Sequence, residues 1–434
     1  MLYGILKVIM WTTLHFYFRK IVFSGRRNIP ASGPAILIAN HSASFLDAML
    51  LAVTLPRPLH FYARSDIFRN AWANKFLRAV NMIPVYNIEH GREELSRNEE
   101  TFAEGEAVLN RGRLLLVFPE GISRVERIML PLKKGTARVA LQTESRKDFK
   151  MGLSVIPVGI NYSAHRFRAD VLIQVGDAVV VRDYEDLYRT NPARAMTQMT
   201  RELETKFSDT MLHVRQPERT DYINRLLELF RTDEVHPLDH LRGVPVLRKE
   251  KDICAVVSAM DDKEYAQRWE ALQRYDARLL AAGLMDASVS GRYRVIVWHL
   301  LLLLIGLPFF LCSVLLNMIP LRAAKWVADH KVTRIDFYTS VANAAGGVIY
   351  LFWWLFLILV AAIVGSPWGW LLALCAPLFL FVGMYWWEGF VHLRSHFRFL
   401  RLGRRSAPVG ELRALREGIA FWRNASPGIA ASAG

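Results

Sequence analysis

Two residues of complementary chemistry, His41 and Asp47, stand on either side of "SASFL", directly after the apolar run AILIA at residues 35–39. If a strand ends near Asn40 and a helix starts near Ser44, Asp47 falls in the first helical turn and reaches back to the imidazole. A carboxylate on one ring nitrogen fixes the tautomer and raises the basicity of the other, which can then take a proton from an attacking hydroxyl. No nucleophilic side chain is required when the substrate brings its own hydroxyl and meets an activated acyl group. The same spacing also suits a purely structural pair, an early-helix acid favoured by the dipole beside a satisfied turn histidine. A second constellation lies in "LLLVFPEGISR", where a buried strand runs into Pro119-Glu120-Gly121. There Glu120 could accept hydrogen bonds from a polyol and Arg124 could hold a phosphate; a turn carrying a surface ion pair fits as well. Arg64, just past "LHFYA", and Lys133 and Lys134, which with Gly135 open a helix, would add positive charge for a phosphate or simply be solvated. "VIPVGINY" reads as an apolar wall of the core.

Holding these groups requires strand ends and helix starts. Residues 35–39, 59–63, 82–86, 114–118, 155–160 and 171–176 read as strands, and stretches such as 47–55 and 98–111 read as helices. Buried apolar strands alternating with helices predict an α/β domain with a mixed or mostly parallel central sheet flanked by helices. In such sheets ligand-binding residues gather beyond the strand carboxyl ends, where His41 and Glu120 fall. The expected organisation is an N-terminal interfacial or membrane helix over 1–26, the α/β domain over 27–183 and a helical region over 184–292. A membrane region over 293–390 and a basic cytosolic tail over 391–434 follow.

The membrane region is read from hydropathy. The chain of 434 residues is 52% hydrophobic with a mean hydropathy of +0.16, and the excess is concentrated near the C-terminus. Residues 349–364 and 368–387 are each near bilayer-crossing length, and "GSPWG" between them predicts a helical hairpin. Residues 295–319 are long enough to span, but Gly306–Pro308 predicts a break and a possible re-entrant segment. Basic flanks at Arg292 and Arg294, and at Arg394, Arg398, Arg401, Arg404 and Arg405, favour the cytosolic side. A net charge of +15 without a nucleic-acid motif points to anionic membrane lipids and an anionic substrate. Three cysteines, none in a CxxC pair, imply neither a disulfide framework nor a metal cluster.

Taken in order, "NHSASFLD", "FYARSDIF" with "NMIPVYN", "FPEGISR" and "VIPVGI" resemble the four blocks of the PlsC-type glycerolipid acyltransferase family. The resemblance covers residues 29–183 and extends to larger bacterial members with C-terminal membrane helices. It implies transfer of a fatty acyl chain from acyl-CoA or acyl-carrier protein to lysophosphatidate, or alternatively to glycerol 3-phosphate or another lysolipid. It implies His41 as general base with Asp47 orienting it, Glu120 and Gly121 lining the acceptor pocket, and Arg64 with Arg124 on the acceptor phosphate. No metal or redox cofactor is implied. The implied location is the bacterial inner membrane with the catalytic domain facing the cytosol. The sequence departs from the family pattern in three places. Five residues separate His41 from Asp47 instead of four, and an extra helical residue rotates a side chain by roughly 100°. The second block ends on Asn81 and Asn87, without its usual glycine and arginine. The third continues Ile122-Ser123-Arg124, with arginine one place late. Two other readings are a hydrolase using Ser42 or Ser123, neither of which lies in a G-x-S-x-G elbow, and an inactive membrane-anchored lipid-binding protein.

Overall fold

The run AILIA is apolar at every position because it lies at the centre of a sheet covered on both faces. It forms β2 (Ala35–Ala39), and all five residues are buried, which removes the alternation expected of a half-exposed strand. A computed structural model of the protein describes residues 2–85, 92–234, 244–291, 297–403 and 406–423. Tyr86 and Asn87 of the second block, the basic flanks Arg292, Arg294, Arg404 and Arg405, and the end of the tail lie outside the described residues. The chain divides into two units.

The first unit comprises Met1–Arg215 with Arg242–Leu247 and Arg334–Ser340. It opens with α1 (Leu2–Tyr17) and β1 (Lys20–Ser24); after β2 come α2 (Phe45–Thr54), β3 (Leu59–Arg64), α3 (Ala71–Ala79), β4 (Met82–Val85) and α4 (Arg92–Asn110). It continues with β5 (Leu114–Val117), α5 (Gly135–Ser145), β6 (Ser154–Tyr162), β7 (Asp170–Val175), β8 (Val179–Val180), α6 (Glu185–Thr190) and α7 (Pro192–Ser208). The strand order is β1-β7-β6-β2-β5-β3-β4, with β8 on β6. β2 pairs in parallel with β5 and β6, while β6 pairs antiparallel with β7 and β8. The sheet is therefore mixed, and β2, β5 and β6 end side by side.

The core extends past both expected boundaries, 27 and 183. β1 adds a parallel strand beside β7 from Lys20. α7 buries Ala195, Met199, Leu203 and Phe207 in the same cluster as Ile36, Ile38, Leu115 and Leu141, so its apolar stripe completes one face of the sheet. α1 exposes Leu2, Ile5, Val8, Ile9 and Trp11, while Leu14 and Tyr17 of its last turns are buried.

The second unit holds α8 (Thr220–Glu234), most of α9 (Val244–Ala259), α10 (Asp262–Ala282), α11 (Asp286–Val289) and three long helices. These are α12 (Val297–Lys331), α13 (Ile335–Val364, from Val341 onward in this unit) and α14 (Pro367–Leu402), each long and apolar enough to cross a bilayer. α15 (Ala407–Ile419) follows. Two expectations are corrected here. The basic tail expected from 391 instead continues α14 and then folds back as α15, whose Arg416 is buried between Asp286 (2.6 Å) and Asp233 (2.7 Å). A buried guanidinium paired on both sides holds its segment in place. The break expected at Gly306–Pro308 does not occur, and α12 runs on through Pro308 and Pro320.

A proline inside a helix leaves the carbonyl four residues earlier without its donor. Trp353 Nε1 donates to Leu316 O (2.7 Å), the carbonyl left open by Pro320. Trp354 Nε1 donates to Ala373 O (2.9 Å), the carbonyl left open by Pro377 of α14. Neighbouring helices thus satisfy what Pro320 and Pro377 release, as an apolar surrounding demands. α14 packs extensively along α12, antiparallel, with Trp386 near Leu303 and Asn317 near Ala376. Gly383 permits this approach, since a Cβ there would lie 2.4 Å from Ser313 Oγ.

Candidate active site

The site forms where β2, β5 and β6 end. The ladder between β2 and β6 stops at Ala39, and Asn40 extends it with its side chain. Its amide donates to Ile160 O (2.9 Å) and accepts from Ile160 N–H (2.6 Å). His41 leaves the strand from this fixed point. The chain then turns through Ser42, Ala43 and Ser44 into α2, with Asp47 as its third residue.

Ser44 absorbs the extra residue of the His-x5-Asp spacing. Its φ of 50° and ψ of −137° lie in a region that costs a non-glycine residue about 1–3 kcal/mol. With that bend made, His41 Nδ1 lies 2.9 Å from Asp47 Oδ2. The same oxygen accepts from the backbone N–H groups of Ser42 and Ala43, each at 2.9 Å. The other oxygen accepts from the Tyr162 hydroxyl at 2.7 Å. Asp47 is fully buried, and a buried carboxylate needs this many donors. The Tyr162 phenol is held protonated by burial and by the adjacent Asp47 charge, which push its pKa well above the usual value. Phe118 stacks on the imidazole, with ring centroids 4.0 Å apart. Nδ1 is thus committed and the ring orientation fixed, which leaves Nε2 as the proton acceptor.

His41 lines a cleft with Asn40, Ser42, Glu120, Arg124, Arg127 and His165. Glu120 follows β5 in a turn closed by Gly121 N–H on Phe118 O (3.1 Å). Gly121 has φ +76°, and a Cβ there would meet Lys133 Nζ at 2.3 Å, so the lysine chain covers the glycine. Glu120 is 6% exposed, and its Oε1 has no hydrogen-bond partner among the described residues. Burial first, then the Asp47 charge, push its carboxyl up to about 7, against the pull of Arg124. The Arg124 N–H donates to His41 O (2.8 Å), which ties the third block to the first. His165 is driven down to about 4 by burial and by Arg127, so it is neutral at neutral pH.

The structure brings His41, Asp47, Glu120, Gly121, Arg124 and Lys133 together. It does not bring in the other two candidates for phosphate binding. Arg64 is largely exposed and paired with Asp66 (2.9 Å), and Lys134 Nζ donates to Thr197 Oγ1 (2.9 Å) on α7. Both ions are held by nearby partners, and neither residue lines the cleft. Tyr162, Phe118, His165 and Arg127 are site residues that the sequence reading missed. The signal for Tyr162 was its parity with Ile160 at the far end of "VIPVGINY". Among the described residues neither Ser42 nor Ser123 hydrogen-bonds His41 through its hydroxyl; Ser123 Oγ accepts from Ser44 N–H (3.3 Å). No group of three or more described His, Cys, Asp or Glu side chains is placed to hold a metal ion.

A family model described as Acyltransferase matches residues 20–161, from the start of β1 to the penultimate residue of β6. This stretch is thus similar to acyltransferase domains. Over 116 residues the chain is 28% identical to a 1-acyl-sn-glycerol-3-phosphate acyltransferase of Bacillus subtilis, covering 26% of this chain and 53% of that protein. It is 37% identical over 92 residues to an uncharacterized acyltransferase of Schizosaccharomyces pombe, covering 21% of this chain and 14% of that one. It is 29% identical over 108 residues to glycerol-3-phosphate O-acyltransferase 2 of Saccharomyces cerevisiae, covering 24% and 14%. The chain thus spans at most about half the length of these three relatives. The matched stretch carries every cleft residue named above except Tyr162, the last residue of β6, and His165.

Proposed function

We propose that this protein is a membrane-bound O-acyltransferase that moves a fatty acyl chain from acyl-CoA or acyl-carrier protein to the hydroxyl of lysophosphatidate. His41 Nε2 removes the proton of the acceptor hydroxyl as its oxygen attacks the thioester carbonyl. The tetrahedral intermediate collapses, the carbon–sulfur bond breaks, and the thiolate leaves with the proton carried by the imidazolium. Asp47 stabilises the imidazolium without taking the proton. Arg124 binds the acceptor phosphate, Lys133 adds positive charge beside it, and Glu120 with Gly121 shapes the acceptor pocket. The donor is a substrate, and no metal or redox cofactor takes part. The observation that carries this reading is the fully satisfied Asp47 carboxylate on His41 Nδ1. It builds a base without building a nucleophile.

A phosphorylated glycerol as acceptor is supported by Arg124 and Glu120 lining one cleft and by two matched relatives named for such acceptors. Glycerol 3-phosphate is the alternative, favoured by the likeness to the yeast protein. The three apolar helices would hold the enzyme in the cytoplasmic membrane, with the acyltransferase domain on the cytosolic side among anionic lipids. The test is an acceptor screen with labelled acyl-CoA and purified protein in detergent. Labelled phosphatidate from lysophosphatidate is expected. Label only on glycerol 3-phosphate would reassign the acceptor, and no labelled product from any lysolipid or glycerol phosphate would overturn the reading.

A further inference from the structure

The turn that carries His41 is completed from far along the chain. Ser44 occupies the N-cap position of α2, but its own hydroxyl makes no capping hydrogen bond. The hydroxyl of Ser340 stands there instead. It donates to Ala43 O and accepts from Leu46 N–H at 3.2 Å, 294 positions away in sequence. Leu46 N–H is shared with Ala43 O at 3.1 Å, so Ala43, Leu46 and Ser340 close a small ring of hydrogen bonds. This ring encloses Ser44, the one residue of the turn held at positive φ. Ala43 also donates its own N–H to Asp47, and Leu46 directly precedes Asp47. Ser340 and its neighbour Thr339 are both fully buried. They belong to the segment Arg334–Ser340, which packs as part of the first unit although it begins α13.

We infer that Ser340 is a positioning residue for the His41–Asp47 pair, acting through the backbone of Ala43 and Leu46. The inference rests on the proposed role of His41. The strained Ser44 conformation is what lets a five-residue spacing place Asp47 against His41, and such conformations persist only where the surroundings over-determine them. Ser340 supplies that constraint with one hydroxyl used as donor and acceptor at once. It touches neither substrate nor the reacting groups. Its loss should therefore misplace the base while leaving the binding cleft as it is, and small misplacements cost rate more than affinity.

The experiment compares Ser340→Ala, Ser340→Cys, Ser340→Thr and Thr339→Val in the full-length protein, by steady-state kinetics and by hydrogen–deuterium exchange of the peptide over residues 42–50. Ser340→Ala is expected to lower kcat about tenfold with KM for both substrates unchanged, and to speed exchange over 43–47. Ser340→Thr keeps the hydroxyl and should restore both readouts. Thr339→Val removes a neighbouring hydroxyl and should leave both as in the wild type. Ser340→Cys preserves the volume with a weak donor, and should reproduce the alanine result even if the alanine protein fails to fold. Unchanged kcat and unchanged exchange in Ser340→Ala and Ser340→Cys would overturn the inference, as would an equal effect of Thr339→Val. If the wild type transfers no acyl chain, the functional reading fails, and the exchange data alone still decide whether Ser340 holds the turn.

Discussion

At the scale of single residues, the site depends on one carboxylate with four donors. Removing the Tyr162 hydroxyl leaves an Asp47 oxygen buried without its partner, and losing a hydrogen bond to a buried charge costs about 1.5–3 kcal/mol. Tyr162→Phe should therefore lower both stability and kcat, the latter on the order of tenfold; thermal unfolding in detergent and steady-state kinetics would measure the two. Glu120 carries a pH dependence whose sign follows from its raised pKa. The folded protein binds this proton more tightly than the unfolded chain, so stability falls as pH rises from about 4.5 to about 7. Glu120→Gln has no such proton. The melting temperature of the wild type relative to Glu120→Gln should drop between pH 5 and pH 8, by the equivalent of roughly 2–3 kcal/mol; a constant difference would contradict the assignment. His41, Asp47, Glu120 and Arg124 were legible in the sequence because each sits at a fixed distance from a strand end. Arg64 and Lys134 were misplaced because a long cation goes where its partner is, and neither Asp66 nor Thr197 could be identified as that partner from spacing alone. Tyr162 stayed hidden because the sequence does not reveal how far β6 outruns β2.

At the scale of elements, burial decided what could be read. β2, β5 and β6 are apolar throughout and flanked by turns, so their existence was plain. β1 is only half-buried and β8 has two residues, too little pattern for either to stand out. α7 carried a clear apolar stripe, but a stripe does not say which surface it covers, and the domain boundary was set too early for that reason. Pro308 was read as a break because proline usually is one. The helix runs on through it, and at the later Pro320 a partner helix supplies the missing donor, Trp353 at Leu316. Trp353→Phe keeps the ring and removes the donor, and should lower the detergent-solubilised protein's stability by about 0.5–1.5 kcal/mol. The same substitution at Trp368, a 73% exposed ring, should change little in the same thermal assay.

At the scale of the whole molecule, the first unit is an α/β domain with its candidate site at the strand ends, and the remaining chain adds three helices of bilayer-crossing length. Very little of their apolar windows is buried by protein, 6%, 6% and 22% for α12, α13 and α14, so the exposed remainder calls for lipid. The protein should stay with membranes through a high-salt and alkaline carbonate wash and leave only with detergent; release by salt alone would contradict integral insertion. His41 as the base is tested by one comparison. Single-turnover rates of acyl transfer from labelled acyl-CoA to lysophosphatidate should be measured for the wild type and His41→Ala under saturating substrate. A fall of roughly a thousandfold is expected for loss of a general base, with lysophosphatidate binding retained. Equal rates in the two proteins would contradict the role of His41 as the base.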